Sequence, residues 1–215
     1  MFEIVSHELK YYFKNSHELI YIYGFFALLI FIFPMGLRQQ LHVLPELAPS
    51  MIWLALVASI GLGAMNLFQR DADNGLWEIY LQLPHGLGGI VLGKWLAFYI
   101  ATILPIITII PLVLMLFGLP MFIAPHYMVG VLAGGGAISI IASLAAAIAV
   151  GLERARAVVL LMLLPLSVPV IIFGSQYLQS PAHLWQPSLM FLLAFSIFLL
   201  PILVIAGGSC IRASN

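Results

Sequence analysis

Residues 128–150 read MVGVLAGGGAISIIASLAAAIAV, a run without one charged side chain. A bilayer core of about 30 Å is crossed by about 20 apolar residues of helix, so this stretch alone predicts a transmembrane span. Working outward from it, the segments 19–37, 48–67, 89–117, 157–175 and 188–210 have the same character. Composition agrees: 63% of the chain is hydrophobic, 7% is charged, and the mean hydropathy is +1.14. A soluble domain carries about 25% charged residues, and this chain has too few to cover a water-facing surface. The expected fold class is an all-α integral membrane protein with about six transmembrane helices. Residues 1–215 make one transmembrane domain, with no stretch large enough for a nucleotide-binding or catalytic domain, so the chain is not expected to be an enzyme. A formal net charge of zero gives no electrostatic preference for nucleic acid.

Ahead of the first span, residues 1–17 are too polar to cross. Phe2, Val5, Leu9, Tyr12, Phe13 and Ser16 recur at helical spacing, with Glu3, His7, Lys10 and Lys14 outside the stripe. The segment predicts an interfacial helix in the headgroup plane; a frayed tail is the plainer alternative. Glu3, Glu8 and Glu18 among the lysines, and no small-x-small site after the first apolar run, argue against a cleaved leader. Prolines fall inside the third span (Pro105, Pro111), the fifth (Pro165, Pro169) and the sixth (Pro201), where each removes a backbone donor. Trp53, Trp95, Trp185, Tyr21, Tyr127 and Tyr177 fall near span ends and are expected in the interfacial belts.

The basic residues orient the spans. Lys10, Lys14, Arg70, Lys94, Arg154, Arg156 and Arg212 flank one side, and only Arg38 of the 8 Lys and Arg falls on the other. The positive-inside rule then puts both termini in the cytoplasm, with the chain multi-pass in an inner membrane.

Small residues recur every fourth position along the fourth span: Gly135, Ser139, Ser143, Ala147 and Gly151. This spacing lets helix backbones approach closely, either within the subunit or as a seam for a second one. The spans carry no clear ionisable residue at mid-membrane; Glu46 and Lys94 sit at span ends. Ion-coupled transporters place carboxylates or histidines there, so any energy must enter from another subunit. Gly88–Trp95 nearly matches the phosphate-binding pattern G-x-x-x-x-G-K-[ST], but Trp95 cannot ligate magnesium and no strand precedes it. The histidines (His7, His17, His42, His85, His126, His183) show no i,i+3 or i,i+4 pairing. No metal site is expected. His42, His126 and His183 share the outer side, where ligation of a haem iron and ordinary loop residence both remain open. Cys210, the only cysteine, reads as a small buried apolar residue.

The most informative polar stretch is Arg70-Asp71-Ala72-Asp73-Asn74-Gly75-Leu76-Trp77-Glu78. Asp73-Asn74-Gly75 predicts a turn, and Leu76, Ile79, Tyr80 and Leu83 line one face of a short helix ending near Pro84. An apolar face with an acidic flank on a cytoplasmic loop suits a groove on a soluble partner; a solvated loop held by local ion pairs is the alternative.

The same stretch carries a family likeness. Ala48-Pro49-Ser50-Met51-Ile52-Trp53, Phe68-Gln69-Arg70-Asp71, Asn74-Gly75, Glu78 and Leu83-Pro84 together resemble CcmB, the haem exporter protein B family. Val91-Leu92-Gly93-Lys94 leading to Leu104-Pro105 and Pro111-Leu112 resembles it too, as does Val150-Gly151-Leu152 followed by Leu164-Pro165-Leu166-Ser167-Val168-Pro169 and Ile172-Phe173-Gly174. Glu153, Ala155, Met65 and Asn66 depart from the family pattern, which bears on details of the cytoplasmic contact.

The resemblance implies an ABC-2-exporter-like permease subunit acting in c-type cytochrome biogenesis. It implies a cytoplasmic ABC ATPase, a haem-handling membrane subunit, a small accessory membrane protein and a periplasmic haem chaperone as partners. Haem and ATP are then handled by the complex and not held by this chain; a second copy of the chain is a further candidate partner. The tryptophan-rich motif of the haem-handling subunit is absent here. On this reading the segment 68–88 is a coupling loop: Arg70, Asp71, Asp73 and Glu78 hold its shape around Gly75, and Leu76, Trp77 and Tyr80 fill the ATPase groove. A permease of the same fold for another substrate such as a lipid, a haem-binding protein and a passive scaffold are the competing functions.

Overall fold

The computed structural model describes residues 2–37, 41–77, 80, 86–152, 155–180 and 186–213. Every regular element among them is helical. They are α1 (Phe2–Lys14), α2 (Ser16–Gly36), α3 (Leu44–Ala64), α4 (Gln69–Asp73), α5 (Gly86–Leu116), α6 (Ala124–Ala149), α7 (Ala155–Gln179) and α8 (Gln186–Ala213), with short 3-10 turns at Leu41–Val43 and Met121–Ile123. Among the described residues six helices are long and apolar enough to cross a membrane, which makes the chain a multi-pass membrane protein.

α6 is the central post. In its most apolar stretch 78% of residues are buried, against 11% for α8, whose outer face (Ile197, Phe198, Ile205) is left to lipid. Helices gain no hydrophobic drive against one another in lipid, so close packing must hold them. The glycines of α6 supply it on three sides. A Cβ on Gly130 would fall 2.8 Å from the Tyr177 ring of α7, one on Gly134 2.2 Å from Trp53 of α3, and one on Gly135 2.7 Å from Ile103 of α5. A helix surrounded by neighbours must be narrow, and that accounts for Gly130, Gly134 and Gly135.

Trp53 corrects the belt expectation. Its indole is fully buried between Gly134 of α6 and Gly174 of α7, and its Nε1 finds no hydrogen-bond partner among the described residues. Tyr127 and Tyr177 also turn inward, whereas Tyr21 is exposed. Trp185 lies outside the described residues. The helices run continuously through Pro49, Pro105, Pro111, Pro165, Pro169 and Pro201.

Candidate functional site

The segment following α3 folds back on itself in a few residues. α4 closes with a Schellman arrangement: Gly75 N–H donates to the Ala72 carbonyl (3.0 Å) and Leu76 N–H to that of Asp71 (3.0 Å). Gly75 takes φ +65°, the left-handed geometry this cap needs. Asn74 Nδ2 donates to the Arg70 carbonyl at 2.8 Å, and Gln69 Nε2 to Asp73 Oδ1 at 3.0 Å. Leu76 then starts a new turn, its carbonyl accepting from Tyr80 N–H at 3.0 Å.

Trp77 anchors this hairpin. It is 1% exposed, tilted on Phe68 at 6.3 Å between centroids and edge-on to Tyr80 at 5.5 Å. A side chain already covered has no surface left for a partner, so the expected groove-filling role does not fit Trp77. Asp73, Asn74 and Gly75 are exposed, and Leu76 and Tyr80 half-buried. Glu78 and the rest of the expected coupling loop at 79 and 81–85 lie outside the described residues.

Beneath the hairpin sits a group of charges that sequence reasoning did not assemble. Lys94 of α5 is fully buried, with Nζ 2.7 Å from Glu8 Oε1 of α1. It also stands 2.7 Å from Asp71 Oδ2, as an ion pair and not a well-directed hydrogen bond. Arg70 closes the ring, donating to Glu8 Oε2 at 2.9 Å and lying 3.5 Å from Asp71 Oδ1. Its guanidinium rests 3.7 Å from the centroid of the Tyr11 ring, a cation–π contact. Two carboxylates thus meet two cations, and the group is neutral.

Burial pushes the Glu8 carboxyl up, but Lys94 and Arg70 outweigh it and hold Glu8 below its ordinary value. Burial, then the charges of Asp71 and Glu8, push the Tyr80 phenol up. Glu8 therefore stays a carboxylate around neutral pH, paired with the two cations.

The missed residues left a signal. Val5, Glu8 and Tyr12 are spaced on one helical face, and that face is the buried one; Phe13, counted in the apolar stripe, is 72% exposed. Gly93 explains the landing: a Cβ there would fall 2.9 Å from Ile4. The Gly93-Lys94 pair that mimics a phosphate loop receives α1 instead. Gly88, from the same run, meets Gly208 and Val204 of α8.

The expected seam on α6 divides. Gly135 packs on Ile103, Ser139 accepts from Trp95 Nε1 at 3.0 Å and donates to the Gly136 carbonyl at 2.8 Å, and Ser143 is buried. Ala147 lies 3.6 Å from a Cβ placed on Gly207 of α8. Gly151, at φ +79° and beyond the end of α6, is exposed and is not part of the helix stripe. Among the histidines, His126 Nε2 donates to the Tyr177 carbonyl at 2.8 Å and its ring stacks on that of Tyr177. His42 is exposed, and His85 and His183 lie outside the described residues. No group of three or more His, Cys, Asp or Glu able to hold a metal occurs among the described residues.

The sequence matches those of known proteins along most of its length. The family model for CcmB protein matches residues 1–214. The heme exporter protein B of Pseudomonas aeruginosa is 32% identical over 95% of this chain and 94% of its own. That of Rhodobacter capsulatus is 31% identical over 74% and 73%, and that of Escherichia coli K12 31% over 78% and 76%.

Proposed function

The chain belongs to the CcmB family, and from that premise we propose that it is the membrane permease subunit of an ABC-type complex for c-type cytochrome biogenesis. It is non-catalytic; ATP hydrolysis is carried by a separate cytoplasmic ATPase, and the remaining partners are a haem-handling membrane subunit, a small accessory membrane protein and a periplasmic haem chaperone. Haem is cargo of the complex. Its ATP-dependent step is release of the haem-loaded chaperone. The chain sits in the inner membrane with both termini in the cytoplasm, as the distribution of Lys and Arg supports.

The observation that carries this reading is the hairpin made by residues 68–77 with Tyr80. A short tip, Asp73 to Gly75, stands exposed beside the half-buried Leu76, on a base locked by buried ion pairs and the Phe68–Trp77–Tyr80 aromatic group. A stiff projection of this kind delivers a push without absorbing it. Arg70 and Asp71 serve the lock, Asp73, Gly75 and Leu76 the contact, and Tyr80 both. The proline-bearing α5 and α7 relay movement into the membrane.

The test is cytochrome c assembly in a strain whose own copy is deleted. Wild-type chain restores it; Leu76→Asp, at unchanged membrane abundance, does not. Full assembly with Leu76→Asp would remove the coupling role.

A further inference from the structure

We infer that Glu8 and Lys94 are positioning residues that bind α1, the hairpin beginning at Phe68 and the inner end of α5 into one body, so that a push on the hairpin moves α1 with it. The inference rests on the hairpin being where the ATPase acts.

The geometry is specific. Lys94 is fully buried, and the two carboxylates it touches come from separate segments, Glu8 of α1 and Asp71 of α4. Arg70 bridges the same two carboxylates from the hairpin side. No member can leave alone, because separating a buried pair strands an uncompensated charge where water cannot repay it. Packing adds to the electrostatics: Gly93, beside Lys94, lets Ile4 and Val5 settle directly onto α5, and Tyr12 is buried with its ring 6.5 Å from that of Phe98. An interfacial helix held only by lipid would float past the hairpin. This one is fastened to it by the same four side chains that fasten the hairpin to α5.

A purely structural anchor and a mechanical link predict different behaviour. Replacing Lys94 with Met strands charge, and the protein should lose abundance. The double variant Glu8→Gln/Lys94→Met restores neutrality and leaves the Arg70–Asp71 pair intact. It should regain abundance and ATPase binding, since the exposed tip is untouched, yet stay defective in cytochrome c assembly, because α1 and α5 no longer follow the hairpin as one body. Full assembly by the double variant would overturn the inference while leaving the permease reading in place; absence of ATPase from the wild-type complex would instead remove the reading itself.

A second measurement does not depend on the double variant folding. In a chain with Cys210→Ser, Ile4→Cys and Gly93→Cys place their thiols across the α1–α5 contact, the isoleucine's removal making room for the new side chain. In the purified complex, closing that disulfide should leave the ATP turnover rate unchanged, since the helices already move together. Loss of turnover on oxidation, regained on reduction, would show that α1 must part from α5 and would overturn the inference.

Discussion

Glu8 Oε1 lies 2.7 Å from Lys94 Nζ, joining the first helix of the chain to a fully buried lysine 86 positions later. Removing one partner of such a pair costs about 3–5 kcal/mol, because the other stays buried and unpaired. Lys94→Met is therefore expected to lower thermal stability sharply in detergent, measured as the unfolding midpoint of the purified chain. Lys94→Arg, which keeps the charge, should lose much less.

The pH response follows from the same pair. Burial raises the Glu8 carboxyl, Lys94 and Arg70 lower it further, and the net position is below 4.5. A carboxylate held low in the folded state contributes stability that is complete above the unfolded value and lost as pH falls through the folded one. Docking of α1 should thus be flat from neutral pH down to about 5 and fail only on further acidification. An environment-sensitive dye on Lys10→Cys, in the Cys210→Ser background, reports it. A release midpoint above pH 6 would contradict the assignment.

Trp53 between Gly134 and Gly174 makes a paired prediction. Trp53→Ala empties a fully buried site and should cost about 3–5 kcal/mol. Gly134→Ala forces a methyl to within 2.2 Å of the indole, at a cost of about 1–3 kcal/mol. Combining Gly134→Ala with Trp53→Leu should recover part of that loss, which unfolding midpoints of the single and double variants decide.

Much of this was legible in the sequence. The six spans follow from the length and charge-poverty of their runs, and the turn at Asp73-Asn74-Gly75 from residue types that tolerate a left-handed conformation. The ion cluster was not, because Glu8 and Lys94 belong to segments whose meeting is a tertiary event. Only the repeat of Val5, Glu8 and Tyr12 on one helical face hinted that Glu8 turns inward. Trp53 misled for a related reason. A tryptophan near a span end suits the interfacial belt, and only the facing glycines of α6 and α7 show that it is a wedge. Gly93-Lys94 looked like a failed nucleotide motif because small-then-basic also serves to admit a helix and pair its carboxylate.

Gly75 holds φ +65° at the cap of α4. A β-branched residue there should cost about 1–2 kcal/mol, and Asn less. Gly75→Val is expected to weaken recovery of the ATPase with the chain while Gly75→Asn retains it, as co-purification from native membranes would measure.

The central claim is that the tip at Asp73–Leu76 docks an ATPase. Its most direct test is affinity purification of the tagged chain from native membranes in mild detergent, wild type beside Leu76→Asp, with partners identified by mass spectrometry. The account predicts a Walker-motif ATPase with haem-handling and chaperone proteins on the wild-type chain, and loss of the ATPase from a folded Leu76→Asp. An ATPase bound equally by both, or by neither, would contradict it.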